Sequence, residues 1–156
     1  FKQKRTGFMG REFNCLKFRT MRVNNESDKL QATKGDPRIT RIGEFLRKTS
    51  LDELPQIINI LMGKMSIVGP RPALWNQYDL IEERDKYGAN DVMPGLTGWA
   101  QINGRDELEI DVKAKLDGEY VKKFGFIMDL KCFFGTITAV LSHKGVVEGG
   151  TGEMHK

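Results

Sequence analysis

Apolar and polar residues partly alternate in Phe1–Arg5 and again in Arg11–Met21, and Thr6-Gly7-Phe8-Met9-Gly10 between them has the composition of a turn. This pattern predicts a β-hairpin. Residues 22–38 carry neither a helical nor a strand period and read as a surface loop, closed by a turn at Asp36-Pro37. Ile39, Ile42, Phe45 and Leu46 then recur at helical spacing and predict a helix ending near Lys48. Leu54, Ile57, Ile58, Ile60 and Leu61 predict a second helix, from about Asp52 to Gly63. Met65–Val68 reads as a short strand leading into Gly69-Pro70-Arg71-Pro72. Leu74–Tyr87 has an amphipathic helical pattern, and Leu96–Ile102, after the turn at Pro94-Gly95, reads as a short extended run. Glu107–Phe124 predicts a helix with Asp106 as its cap. Ile127–Ser142 predicts an apolar helix closed by His143-Lys144-Gly145, a basic last turn followed by glycine. The glycine-rich residues 146–156 read as a flexible tail, leaving 1–145 as one domain. The fold class is therefore α+β: a small N-terminal hairpin or sheet followed by a mostly helical body.

At 156 residues the chain is long enough to bury a core without disulfides or a structural metal. Cys15 and Cys132 are far apart in sequence and read as small core residues, as in a reducing compartment. The net charge of +4 is unevenly spread. Residues 1–50 hold 13 Lys/Arg against 5 Asp/Glu, and residues 51–156 hold 12 against 16. A basic half points to an anionic partner, whether nucleic acid, phosphorylated ligand or anionic lipid. The longest apolar stretch, Phe126–Leu141, is interrupted by Asp129 and Lys131 and is too short to span a bilayer. The sequence opens on FKQKR without an initiator methionine and already inside a strand pattern, as expected of a fragment lacking its N-terminal part.

No P-loop, HExxH, GxSxG or CxxC is present, and the GxxG of RTGFMGR lacks the βαβ setting of a dinucleotide fingerprint. Both histidines lie near the C-terminus, which disfavours a histidine triad or metal site. The remaining chemistry lies in carboxylates, basic groups and stiff turns. Ser50-Leu51-Asp52-Glu53-Leu54-Pro55-Gln56 carries two adjacent acids where a helix start needs one. Asp52 as N-cap places Pro55 at the third helical position, where a missing N–H costs nothing; Ser50 as cap makes a capping box with Glu53 but puts Pro55 inside the ladder. The first placement costs less, and it would aim the positive helix end at a phosphate. In Gly69-Pro70-Arg71-Pro72 an arginine is fixed between two prolines, suited to a bidentate grip on phosphate. Gly104-Arg105 sets another arginine on a turn, and in KFRTM Lys17 and Arg19 share one strand face. Basic groups on stiff turns near an acidic pair describe a site for an anionic substrate.

Four segments carry a resemblance to the bacterial sugar transferase family, the monotopic phosphoglycosyl transferases. They are KQKRTGFMGREFNCLKFRTM, DPRITRIGEFLRKTSLDELPQIINILMGKMSIVGPRP, PGLTGWAQINGR and EYVKKFGFIMDLK, in family order. The resemblance implies transfer of a sugar-1-phosphate from a UDP-sugar to polyprenyl phosphate through a covalent aspartyl intermediate, with release of UMP. It makes Asp52 the nucleophile and Glu53 its partner, implies Mg²⁺ held at the same two carboxylates, and gives Pro70, Arg71 and Pro72 to the nucleotide end. Lys17, Arg47 and Arg105 are candidate phosphate contacts. A divalent cation and arginines are what a carboxylate attacking a diphosphate requires.

The family's N-terminal hydrophobic segment, which enters one leaflet and returns, is not in this sequence. The implied location is the cytoplasmic face of the bacterial inner membrane, with amphipathic helical faces such as Phe126–Leu141 at the interface or, alternatively, in the core. Met93 stands where the family often has arginine before Pro-Gly, and Phe124 or Phe126 where tryptophan is common. The sequence leaves open which sugar is moved and whether the protein is a homo-oligomer. Two other readings fit the charge: a nucleic-acid-binding module, disfavoured because no aromatics interleave with the basic residues, and a metal-dependent UDP-sugar hydrolase using the same dyad.

Overall fold

The computed structural model describes residues 1–23, 36–104 and 108–141. The expected hairpin is present: β1 (Lys2–Thr6) pairs antiparallel with β2 (Glu12–Leu16), in a register that sets Gln3 opposite Cys15. A single 3-10 turn, Phe8–Gly10, connects them. The second extended run is shorter than its alternation suggests. Lys17–Arg19 lie beyond the end of β2, where Phe18 N–H donates to the Asp52 carbonyl at 2.9 Å.

Thr40 caps α1 (Arg41–Lys48), its Oγ1 accepting from Gly43 N–H at 2.9 Å. The second helix, α2, is only Gln56–Leu61, so Asp52 is not its N-cap. Asp52 lies instead in a 3-10 turn, Leu51–Glu53. Pro55 explains the difference: without an N–H it cannot donate to the Leu51 carbonyl, which takes a bond from Leu54 N–H.

The chain then alternates short strands and helices. β3 (Ser66–Val68) runs parallel to β5 (Gly95–Thr97), with Ser66 opposite Gly95 and Val68 opposite Thr97. β4 (Ala73–Leu74) adds to the other edge of β1, giving the sheet order β2-β1-β4. The extended reading of Leu96–Ile102 holds only to Thr97, after which α4 (Trp99–Ile102) begins. Helix α3 (Tyr78–Asp85) starts later than its pattern suggests because Leu74 belongs to β4. α5 (Ile110–Lys122) and α6 (Phe126–Leu141) complete the body.

Tyr120 of α5, Val68 of β3, and Met128 and Cys132 of α6 form a buried cluster flanked by Trp99 and Ile102. The Tyr120 hydroxyl donates to the Asp129 carboxylate at 2.9 Å and lies 3.3 Å from the Val68 carbonyl, tying α5 and α6 to β3. Both cysteines are buried core residues, and burial pushes the Cys132 thiol up to about 11. Only one side of α6 is in the core: Met128 and Cys132 are buried, whereas Phe126, Ile127, Phe133, Phe134 and Ile137 are exposed. Ile42 and Phe45 of α1 and Ile57, Ile58 and Leu61 of α2 are exposed as well. Among the described residues no helix is long and apolar enough to cross a membrane. The tail and the caps expected at Asp106 and His143 lie outside the described residues.

Candidate active site

The acidic pair is displayed by a tight piece of chain. Ser50, immediately after α1, adopts a left-handed conformation (φ 57°), which costs a non-glycine residue roughly 1–3 kcal/mol. The 3-10 turn that follows is pinned to the exit of β2 through Phe18. This holds the acidic pair beside Lys17 at the exit of β2, where the two carboxylates meet different surroundings.

Glu53 is buried, at 7% exposure. Its Oε1 accepts from Lys17 Nζ at 2.8 Å and from Arg71 Nη2 at 2.5 Å, while Oε2 accepts from Arg71 Nη1 at 3.2 Å. Burial by itself would raise this carboxyl's pKa. The Arg71 guanidinium, then the Lys17 ammonium, outweigh burial and hold it well below the ordinary 4.5. Glu53 is thus ionised, with both oxygens committed to cations.

Asp52 is half-buried, and among the described residues its carboxylate makes no hydrogen bond or ion pair. Burial pushes its pKa above the ordinary 3.8; Lys17 opposes this, Glu53 adds to it, and Arg71 and Arg47 oppose it more weakly. The pair therefore comprises one carboxylate that organises cations and one left uncommitted within their field. Arg47 belongs to the rim of this group, its Nε donating to Thr20 Oγ1 at 2.9 Å.

Arg71 is positioned by its backbone as much as by Glu53. Pro70 and Pro72 are buried and fix the turn. Each carbonyl along the turn has a donor: Gly95 N–H to Pro70 at 2.9 Å, Arg84 Nη1 to Arg71 at 2.8 Å, and Arg5 Nη1 to Pro72 at 2.8 Å. Arg84 is itself locked against Asp117 of α5, with Nε to Oδ2 at 2.8 Å and Nη2 to Oδ2 at 2.6 Å. Behind the turn the backbones touch, since a Cβ on Gly69 would sit 2.3 Å from the Met93 carbonyl oxygen.

The structure thus brings Asp52, Glu53, Lys17 and Arg71 together, with Arg47 beside them and Pro70 and Pro72 as framework. Arg105 lies outside the described residues. Sequence reasoning missed Arg5, Arg84, Asp117 and Asn59. Asn59 accepts from Leu16 N–H at 2.9 Å and donates to the Asn14 carbonyl at 2.8 Å, joining α2 to β2 just before Lys17. An asparagine among the isoleucines of α2, and an acid inside the α5 pattern, were the available signals.

Among the described residues no cluster of three or more His, Cys, Asp or Glu could hold a metal. The uncommitted Asp52 carboxylate suits Mg²⁺, which commonly takes one or two carboxylates and completes its shell with phosphate oxygens and water. Glu53 would join as a ligand only by giving up Arg71 or Lys17.

Over residues 1–143 the sequence matches the family described as bacterial sugar transferase. It is 42% identical over 146 residues to an uncharacterized sugar transferase, EpsL, of Bacillus subtilis (strain 168), covering 94% of this chain and 71% of that protein. It is 47% identical over 147 residues to a UDP-glucose:undecaprenyl-phosphate glucose-1-phosphate transferase of Escherichia coli (strain K12), covering 88% and 31%. Identity to a UDP-galactose-lipid carrier transferase of Erwinia amylovora is 41% over 164 residues, covering 91% and 33%. The chain therefore spans about a third of the length of the latter two proteins.

Proposed function

This chain belongs to the bacterial sugar transferase family, and we propose that it transfers a sugar-1-phosphate from a UDP-sugar to polyprenyl (undecaprenyl) phosphate. The observation that carries this reading is the uncommitted Asp52 carboxylate beside an ionised Glu53 that holds Lys17 and Arg71. In the first step an Asp52 oxygen attacks the β-phosphorus of the donor. A P–O bond forms to the carboxylate, the bond from the β-phosphorus to the bridging oxygen breaks, and UMP leaves with that electron pair. In the second step an oxygen of polyprenyl phosphate attacks the same phosphorus and Asp52 departs as a carboxylate, leaving polyprenyl diphosphosugar. Division into two displacements is the usual gain from a protein nucleophile.

Lys17 and Arg71 stabilise charge on the phosphates, and Glu53 keeps both cations in place between turnovers. Arg47 extends the basic rim, Arg105 is in this reading a further phosphate contact, and Pro70 and Pro72 hold the nucleotide end rigid. Asp52, with Glu53 if it released a cation, would hold Mg²⁺, whose charge would offset that of the diphosphate. The exposed apolar residues of α1, α2 and α6 support seating at a membrane surface, in this reading the cytoplasmic face of the inner membrane.

The test uses UDP-sugar labelled in the β-phosphate, without lipid acceptor. The expected result is release of UMP and label held on protein as a hydroxylamine-sensitive acyl phosphate, discharged by polyprenyl phosphate. Release of free sugar phosphate with no protein-bound label would instead assign a hydrolase.

A further inference from the structure

We infer that the cavity beside Glu53 and Arg71 receives the isoprene units next to the phosphate of the lipid acceptor. This rests on the transfer reading above and gives its second substrate a place. The cavity measures about 210 Å³. Glu53 and Arg71 line it on one side, and the half-buried Leu96 and Ile102 form part of its wall. Leu54, Ile67, Phe133 and Ile137 line it too, and all four are exposed at the protein surface. One space therefore touches both Arg71 and the exposed apolar face of α6.

The polar groups in the wall are already engaged or covered. The hydroxyls of Thr97 and Thr136 are hydrogen-bonded to each other, and Thr136 also donates to the Cys132 carbonyl at 2.7 Å. The Gln101 carboxamide is covered by protein, and Glu53 and Arg71 are paired with each other. A nucleobase or a sugar ring seated here would leave its own donors and acceptors unpaired, which is costly. A prenyl chain has no such groups and gains from each methyl and methylene taken out of water.

Reaction geometry leads to the same occupant by a separate route. Attacking and leaving oxygens at a phosphoryl centre lie roughly in line. In the proposed reaction UMP leaves on the side opposite Asp52, so the acceptor phosphate attacks from the side that UMP vacated. It meets the cations that held the UMP phosphate, Arg71 among them, and its chain runs from there to the membrane. The cavity is an apolar path from Arg71 to the face that, in this reading, seats at the bilayer. It is smaller than the roughly 300–1,000 Å³ of a site for a drug-sized ligand, so only the first isoprene units enter and the rest of the chain stays in lipid.

Two measurements on the full-length protein in phospholipid vesicles test the assignment. Undecaprenyl phosphate carrying a diazirine on its first isoprene unit should crosslink, on irradiation, to residues 96–102 or 133–140, which line the cavity. A diazirine at the far end of the chain should not. Ala139→Phe puts a ring into the cavity, which Ala139 lines. The expected result is a KM for undecaprenyl phosphate at least about tenfold higher, with UMP release in the absence of acceptor unchanged. Crosslinking of the first-unit probe outside both segments would overturn the inference. So would an unchanged acceptor KM in folded Ala139→Phe protein, which would mean that another segment of the chain fills the space. Slower UMP release with the acceptor KM unaltered would give the cavity to the donor. A wild-type protein whose bound label is not discharged by undecaprenyl phosphate would instead remove the transfer reading itself.

Discussion

Two of the carboxylate–arginine clusters among the described residues are built from the same chemistry and placed one behind the other. In the rear cluster, Arg84 and Asp117 are 3% and 1% exposed at their side chains and close on each other. In the front cluster, Arg71 and Lys17 close on Glu53 with 25% and 15% of their side chains exposed, and an extra acid, Asp52, is left over. Arg84 links the two by donating to the Arg71 carbonyl. A buried ion pair is weak evidence for stability because desolvation offsets much of its attraction. The rear pair is better understood as the fixture that aims Arg71, and the front cluster as the part that reacts in the proposed transfer. An acid without a partner, more than the presence of charge, separates the site from its support.

Removing one acid from each cluster should separate them most strongly. Asp52→Asn should lower turnover roughly 10⁴-fold or more while Tm stays near wild type, since no protein contact is lost; kinetics and a melting curve on the same sample check this. Asp117→Asn should do the reverse, leaving the Arg84 cation buried without its counter-charge. A loss of roughly 3–5 kcal/mol in denaturant unfolding is expected, with a smaller drop in activity per folded molecule. Arg71→Lys retains the charge but loses the two-pronged grip on Glu53 and phosphate, so kcat/KM should fall on the order of 10²-fold.

The smallest effect is on pH dependence. In the proposed reaction Asp52 attacks as the carboxylate, and its raised pKa should place the acid limb of kcat/KM above the ordinary 3.8. Lys17→Met removes a lowering charge and should move that limb to higher pH; Glu53→Gln removes a raising charge and should move it lower. Shifts of the same sign in both variants would mean that the limb reports another group.

Much of the front cluster was legible because its parts are local in sequence. Adjacent acids and an arginine between prolines stand out in any reading of residues 52–53 and 69–72, and the hairpin announced itself through alternation around a Gly-rich turn. The rear cluster was not legible. Arg84 and Asp117 are 33 residues apart on helices that look amphipathic, and a charge on such a helix ordinarily reads as solvated. The cap reading of Asp52 failed because the left-handed Ser50 and the missing N–H of Pro55 stop the chain in a 3-10 turn, a balance that residue preferences do not resolve. The cavity beside Arg71 passed unnoticed because its walls come from widely spaced stretches of chain, and the space they enclose is a property of packing that sequence does not display.

The hydrogen bonds to the Pro70, Arg71 and Pro72 carbonyls bear on the timing of catalysis. In the proposed reaction a phosphate draws Arg71 from Glu53, and the backbone that carries Arg71 is already fixed at three consecutive residues. The exchange in that reading is a rearrangement of one side chain rather than closure of a loop over microseconds to milliseconds. The proposed cycle then requires no loop closure at this turn.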